Sequence, residues 1–339
     1  MLIIYLFLSL IVGWVSAWLM ARYGYMLGLI DKPNHRSSHS VETPKGGGIG
    51  ILIVFLTAAI LTGSNWALWM PALILSLLSL YGDKLHLSQK LRLVVQLMCA
   101  SFFICFVAKN NYCEMSFLTG IPTFIIVPLF ILMITATANY YNFMDGINGI
   151  AGITGVIAFL CFAFIASGMG MSNISIICLT IAGACIGFLI VNMAGNVFMG
   201  DGGSILLGFL FAGIAILLSD SLLDIFCYFA FIFPFYADEL ITIIARLKKR
   251  QSLFKPHREH LCQLLANELK ISHWKISLSY ALFQIIIIFS VERIRMYGLF
   301  WVVVIEIIFF LIFLICYLIV VNIINNNNKI TSLKYKFSG

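Results

Sequence analysis

Gly298-Leu-Phe-Trp-Val-Val-Val-Ile-Glu306-Ile-Ile-Phe-Phe-Leu-Ile-Phe-Leu-Ile-Cys316-Tyr-Leu-Ile-Val-Val-Asn322-Ile-Ile324 contains one acid and no base. Wound as an α-helix it would be about 40 Å long at 1.5 Å per residue, enough to cross a hydrocarbon core of about 30 Å. Such a segment can only satisfy its backbone in lipid as a helix. Working outward, the chain breaks at its polar interruptions into ten more apolar runs, near 1–20, 47–63, 66–81, 93–108, 118–138, 150–167, 174–191, 204–219, 225–244 and 276–291. The fold class is therefore all-α: a polytopic integral membrane protein of about eleven transmembrane helices. With 62% of its 339 residues hydrophobic, 10% charged and a mean hydropathy of +1.04, the chain is not a water-soluble protein. Residues 1–324 read as one transmembrane domain and 325–339 as an Asn/Lys-rich cytoplasmic tail of low complexity.

Charge gives the expected orientation. If the runs alternate sides, one side receives 18 of the 21 Lys and Arg residues and the other only Lys109, Arg293 and Arg295. A bias of that size in short loops places the basic side in the cytoplasm, so the N-terminus is expected in the periplasm and the C-terminus inside. The first run has no basic flank before it and no small-residue cleavage site before Arg22, and is expected to be a retained span. The net charge of +7 is thus a matter of topology and calls for no nucleic-acid partner; the lipid bilayer is the partner it implies. The nine cysteines show no CxxC spacing and mostly lie inside apolar runs, where they read as small buried hydrophobes. No internal repeat is visible, and whether the chain pairs as a homodimer is left open.

The acids gather on the basic side. Asp31, Glu42, Asp83, Asp145, Asp201, Asp238, Glu239, Glu259 and Glu268 all fall there, while Glu306 alone lies deep in a span. The segments around Asp145 and Asp201 carry no Lys or Arg, so their carboxylates need neutralising from elsewhere. Oxygen ligands without His or Cys clustering suit Mg²⁺, with Mn²⁺ as an alternative. Five segments stand out. Asp31-Lys-Pro-Asn-His-Arg-Ser-Ser-His39 leads into Thr43-Pro-Lys-Gly-Gly-Gly-Ile-Gly50, whose glycines and proline preclude a regular helix and whose amides could approach a phosphate. Tyr81-Gly-Asp83 precedes Lys84, Lys90 and Arg92. In Asn139-Tyr-Tyr-Asn142-Phe-Met-Asp145-Gly-Ile-Asn148-Gly, helical spacing would set Asn142, Asp145 and Asn148 near one face. Val197-Phe-Met-Gly-Asp201-Gly-Gly-Ser204 places a carboxylate at a helix start among glycines. Finally, Asp238, Thr242 and Arg246 share a helix face, and Lys255-Pro-His257-Arg258-Glu-His260-Leu-Cys-Gln263 follows. His257 and His260 could ligate zinc, but few spare carboxylates lie nearby and anion binding fits the loop better.

Taken together and in this order, DKPNHRSSH, TPKGGG, NFMDGINGIAG, VFMGDGGS and PHREHLCQ resemble the polyprenyl-phosphate N-acetylhexosamine-1-phosphate transferases, over about residues 30–265 and most closely the branch that initiates bacterial O-antigen. The resemblance implies an enzyme of the bacterial inner membrane, working at its cytoplasmic face, that moves an N-acetylated sugar-1-phosphate from a UDP-sugar to undecaprenyl phosphate and releases UMP. It implies that Asn142 and Asp201 hold Mg²⁺, that Asn148 meets the uracil, and that Asp145 lies beside the nucleotide. It implies that His257, Arg258 and His260 hold the pyrophosphate and sugar, and that Arg92 meets the lipid phosphate. Asp83, Asp145, Asp201, His257, Arg258 and His260 form the expected catalytic set; Lys45, Arg92, Asn148, Asp238 and Arg246 form the expected substrate-binding set. The chain departs from the family pattern twice. Gly82 stands where the first member of an Asp-Asp pair is usual, and the loop before Phe198 lacks prolines and is one residue short. The competing readings are a transporter or flippase, which would place ionisable groups at mid-membrane, and a catalytically silent homologue.

Overall fold

The computed structural model describes residues 2–33, 38, 40–85, 87–109, 123–252 and 258–337. Each of the eleven apolar runs corresponds to a helical rod. In chain order these are α1 (Leu2–Leu27), α2 (Ile49–Leu61), α3 (Trp66–Leu85), α4 (Gln89–Lys109), α5 (Thr123–Met144), α6 (Ile150–Gly168), α7 (Ser172–Asn192), α8 (Asp201–Leu217), α9 (Leu222–Phe229) continued by α10 (Phe233–Lys248), then, after the short α11 (Leu261–Asn267), α12 (His273–Ile294) and α13 (Leu299–Phe337). Among the described residues nine rods are long and apolar enough to cross a membrane; α2 and α8 are shorter.

The short helices have a common cause. Residues 43–45 and 197–199, ahead of α2 and α8, are extended and lie side by side, and the turn at 47–48 that opens α2 joins the pairing. Lys45 and Phe198 form a parallel β-bridge. Phe198 N–H donates to Pro44 O at 2.8 Å, Gly47 N–H to Phe198 O at 2.9 Å, and Gly48 N–H to Met199 O at 3.0 Å. A two-residue antiparallel ladder, β1 (Ile30–Asp31) with β2 (Thr43–Pro44), extends this pairing. Gly200 then turns the chain into α8 with φ +77°; a side chain there would meet the Gly46 amide and Asp83 Oδ2.

Helix α8 is the axis of the bundle. Every residue from Gly202 to Ile216 is buried, so the helix is apolar all round. It packs between α3 and α5, and Gly208 lets it approach the α5 backbone at Ala138. On the periphery α1 lies along α7, where Gly183 and Gly187 form a small-xxx-small stripe. A Cβ at Gly187 would fall 2.1 Å from Leu10 O, and Gly13 of α1 faces Ala184 just as closely. Phe7, Trp14 and Trp18 of α1 and Phe300, Ile308 and Leu311 of α13 turn outward, as lipid-facing surfaces do.

The segment beyond 324 continues α13 as a helix to Phe337. Two expectations are corrected. Cys105 and Cys316 lie on exposed helix faces rather than buried, whereas Cys99, Cys178, Cys185, Cys227 and Cys262 are buried as expected; Cys113 is outside the described residues. Asn142, Asp145 and Asn148 do not share a helix face: α5 ends at Met144, and Gly149, at φ +91°, starts α6 anew.

Candidate active site

The helix ends at one end of the bundle bring the polar motifs together. Asp83 lies in the last turn of α3, where the helix dipole disfavours an anion, and Lys45 compensates with Nζ 3.2 Å from Asp83 Oδ1. The other oxygen of Asp83 accepts the Asp201 backbone N–H at 3.1 Å. Asp201 is the first residue of α8, where the dipole favours an anion. Its Oδ2 pairs with Nη1 of Arg92, from the first turn of α4, and its Oδ1 takes the Asn142 amide at 2.9 Å. The same amide lies 2.9 Å from Ser204 Oγ, one turn into α8. The carboxylate of Asp201, whose own segment carries no Lys or Arg, thus receives Arg92 from far away in the chain, and Asp83 receives Lys45 instead of a cation from the basic patch that follows it.

Asp145 follows directly on α5. Burial and the charges of Asp201 and Asp83 push its carboxyl well above the usual carboxylate range. The loop that carries it is pinned from three sides. Asn148 N–H donates to His273 Nδ1 at 3.3 Å, Ser277 Oγ–H donates to Asn148 O at 2.8 Å, and Gly149 N–H donates to Asn192 Oδ1 at 2.7 Å. Asn192 in turn donates to Val197 O at 2.8 Å, tying this loop to the strand before Asp201. Gln263 of α11 packs against Gly146, where a Cβ would fall 2.6 Å from its Nε2. His273, Ser277, Asn192, Ser204 and Gln263 were not singled out from the sequence. Gln263 and Ser204 carried a signal, each as the last residue of a quoted motif; the others are single polar residues at the ends of apolar helices.

The second polar group gathers around α10. Asp238, Thr242 and Arg246 lie on one buried face, as their spacing predicts. Asp238 accepts Leu261 N–H at 2.8 Å and Tyr280 O–H at 2.6 Å, with Cys262 N–H at 3.4 Å, so it caps α11 from a neighbouring helix. His260 sits 2% exposed between Asp238 and Glu239, with Nδ1 3.7 Å from Asp238 Oδ1 and Nε2 3.4 Å from Glu239 Oε2. Burial pulls its imidazole pKa down, but the two carboxylates more than offset this and the net direction is up. Arg246 reaches Ser252 O. Arg258 pairs at 3.4 Å with Glu268 on the exposed side of α11; His257 lies outside the described residues. The structure therefore buries Asp238, Arg246 and His260 beside the start of α11, a placement that their motif did not reveal.

The donor set fits a hard divalent cation. Asp201, the Asn142 amide once turned to present its oxygen, and the neighbouring carboxylates offer oxygen only. Among the described residues no group of three or more His, Cys, Asp or Glu has metal-binding geometry. A Mg²⁺ here would need the rest of its shell from water and phosphate, as that ion commonly does.

Fold and site define a polytopic membrane protein with an acidic centre, laced with two cations, at one end of its helices. Residues 65–219 match the profile of glycosyl transferase family 4. It is 26% identical over 257 residues to a probable undecaprenyl-phosphate N-acetylglucosaminyl 1-phosphate transferase of Bacillus subtilis, covering 72% of this chain and 71% of that one. It is 25% identical over 268 residues to the undecaprenyl-phosphate alpha-N-acetylglucosaminyl 1-phosphate transferase of Salmonella typhi, covering 74% and 72%. It is also 29% identical over 197 residues to a phospho-N-acetylmuramoyl-pentapeptide-transferase of Geobacillus, covering 52% and 61%.

Proposed function

We propose that this protein transfers an N-acetylated aminosugar-1-phosphate from a UDP-sugar to undecaprenyl phosphate, releases UMP, and so begins a lipid-linked surface glycan such as O-antigen. The observation that carries the reading is Asp201, held between Arg92 and Asn142 beside the Asp83–Lys45 pair, at the polar end of an apolar bundle. An oxygen of the lipid phosphate attacks the phosphorus that bears the sugar. A new P–O bond forms, the bond to the uridylate phosphate breaks, and UMP leaves with the electron pair. Both reactants are anions, so the protein's task is charge neutralisation and alignment. The acceptor phosphate is largely ionised at neutral pH, its second pKa lying near 6; Asp83 therefore orients Lys45 and the start of α8 more than it removes a proton. Arg92 and Lys45 supply fixed positive charge, and the N-terminus of α8 adds its dipole.

A bound Mg²⁺, held by Asp201 and Asn142, would supply Lewis-acid neutralisation of the donor diphosphate. This metal assignment is part of the proposal, as is the placing of the site at the cytoplasmic face of the bacterial inner membrane. Purified protein incubated with undecaprenyl phosphate and a panel of radiolabelled UDP-N-acetyl sugars is expected to form a lipid-linked, chloroform-soluble product with at least one donor, and to stop on adding EDTA. Product that persisted in EDTA would remove the metal. No product with any donor would overturn the activity and favour a silent homologue or a transporter. For orientation, Ser252→Cys in a cysteine-free background should stay unlabelled by an impermeant thiol reagent in intact cells; labelling would reverse the topology.

A further inference from the structure

Asn148, in the loop between α5 and α6, has no main-chain partner for either of its backbone groups among the described residues. Side chains of one helix take both instead: its N–H donates to His273 Nδ1 at 3.3 Å, and its C=O accepts Ser277 Oγ–H at 2.8 Å. His273 is the first residue of α12 and Ser277 lies one turn further on, so the two share a face of that helix. Because Nδ1 accepts, the imidazole is neutral and carries its proton on Nε2. The next amide, Gly149 N–H, goes to Asn192 Oδ1 at 2.7 Å. Side chains from α12 and α7, rather than main-chain pairing, therefore set the shape of this loop.

The Asn148 side chain is the opposite case. Its amide is partly exposed, takes no hydrogen bond among the described residues, and lies beside the α7–α8 loop, where a Cβ on Gly195 would fall 3.4 Å from Nδ2. A residue whose backbone is wholly claimed and whose amide is left open presents a donor and an acceptor at a fixed point, which suits the imide edge of a pyrimidine base. Holding that backbone before the ligand arrives lowers the ordering cost of binding. We infer that His273 and Ser277 are positioning residues for the donor nucleotide: by clamping the Asn148 backbone they aim its amide at the base. This rests on the UDP-sugar reading proposed above, with Asn148 at the uracil. Neither residue falls within the stretch that matches the family profile, 65–219, so the role comes from the contacts alone.

The test is equilibrium binding of UDP to purified protein, without turnover, with undecaprenyl phosphate binding measured in parallel. Asn148→Ala should weaken UDP about 10- to 100-fold, and His273→Ala about tenfold, the scale of one lost hydrogen bond. His273→Asn, whose Oδ1 can stand where Nδ1 accepts, should stay within about threefold of wild type. On an Asn148→Ala background His273→Ala should cost less than about twofold, because the amide it aims is gone. Undecaprenyl phosphate binding should stay within about twofold throughout. His273→Ala binding UDP as wild type does while Asn148→Ala loses it, an equal cost on both backgrounds, no recovery in His273→Asn, or an equal loss of undecaprenyl phosphate would each overturn the clamp alone. Asn148→Ala binding UDP as well as wild type would overturn the assignment of Asn148 to the base, and the inference with it. If His273→Ala does not fold, Ser277→Ala, which frees only the carbonyl, should weaken UDP about threefold and lose that effect on the Asn148→Ala background; undiminished UDP affinity in Ser277→Ala would then overturn the inference.

Discussion

The polar groups around Asp201 and those around Asp238 are equally conspicuous as sequence and opposite as structure. At Asp201 three carboxylates and two cations meet at helix ends, the side chains of Arg92 and Asp201 keep 21% and 28% of their surface exposed, and the Arg92 Nε hydrogen bond is unfilled. At Asp238 the carboxylate is wholly buried and its oxygens are taken up by a neighbouring helix start and a tyrosine. The first group keeps part of its charge open to solvent; the second turns its central carboxylate on a helix start and a tyrosine. A motif with Asp, His and Arg in order does not distinguish these arrangements, but solvent access does.

The comparison is broken most directly at Asp201. Asp201→Asn keeps the shape and removes the charge, and turnover should fall at least about 100-fold with little change in melting temperature. Near-normal turnover at equal expression would refute the contrast. Asp83→Asn should cost about 100-fold in turnover with donor affinity little changed, since it frees Lys45 and unties the start of α8. Asn142→Ala should cost about 10- to 100-fold and should add almost nothing to Asp201→Asn, because either change dismantles the same centre; additive losses would separate the two residues.

The buried group should respond in stability instead. Asp238→Ala leaves the Tyr280 hydroxyl and two backbone amides without their acceptor, and should destabilise the protein by about 3 kcal/mol, read as a lower melting temperature in detergent. His260 sharpens this through pH. Its native pKa is raised, so the stabilisation from its charged form is fully present below the ordinary histidine value near 6.5 and is lost as pH rises through the native value. The melting temperature of wild type should exceed that of His260→Gln by more at pH 6 than at pH 9. A gap independent of pH would mean that the imidazole acts by shape alone.

Much of this was legible in the sequence. The eleven rods follow from apolar run length, because lipid leaves a backbone few alternatives, and Asp83, Asn142, Asp145 and Asp201 announce themselves as carboxylates and amides beside glycines at run ends. What could not be read is who meets whom. Arg92 and Asp201 are 109 positions apart, Lys45 and Asp83 38. The β-bridge between Lys45 and Phe198 that aligns them depends on two loops folding against each other. His273 and Ser277 hold the Asn148 backbone, a contact that shows nothing in side-chain pattern. The helix-face reading of Asn142 and Asn148 failed because Gly149 takes a left-handed conformation and restarts the helix, a local choice that outweighs a three-residue period.

The close apposition of α1 and α7 has a consequence for how the chain is made. Helix α1 leaves the ribosome long before α7, because the glycines that receive it, Gly183 and Gly187, are synthesised only after some 160 further residues. At about 5–20 residues per second, the α7-facing side of α1 waits roughly 8 to 32 seconds in the bilayer, with only Gly50 of α2 at hand to cover Gly13 and Ser16. Nascent chains arrested before α7 has emerged should therefore present Ser9 and Leu10 of α1 to lipid or to a membrane chaperone, and arrest well after α7 has emerged should withdraw them.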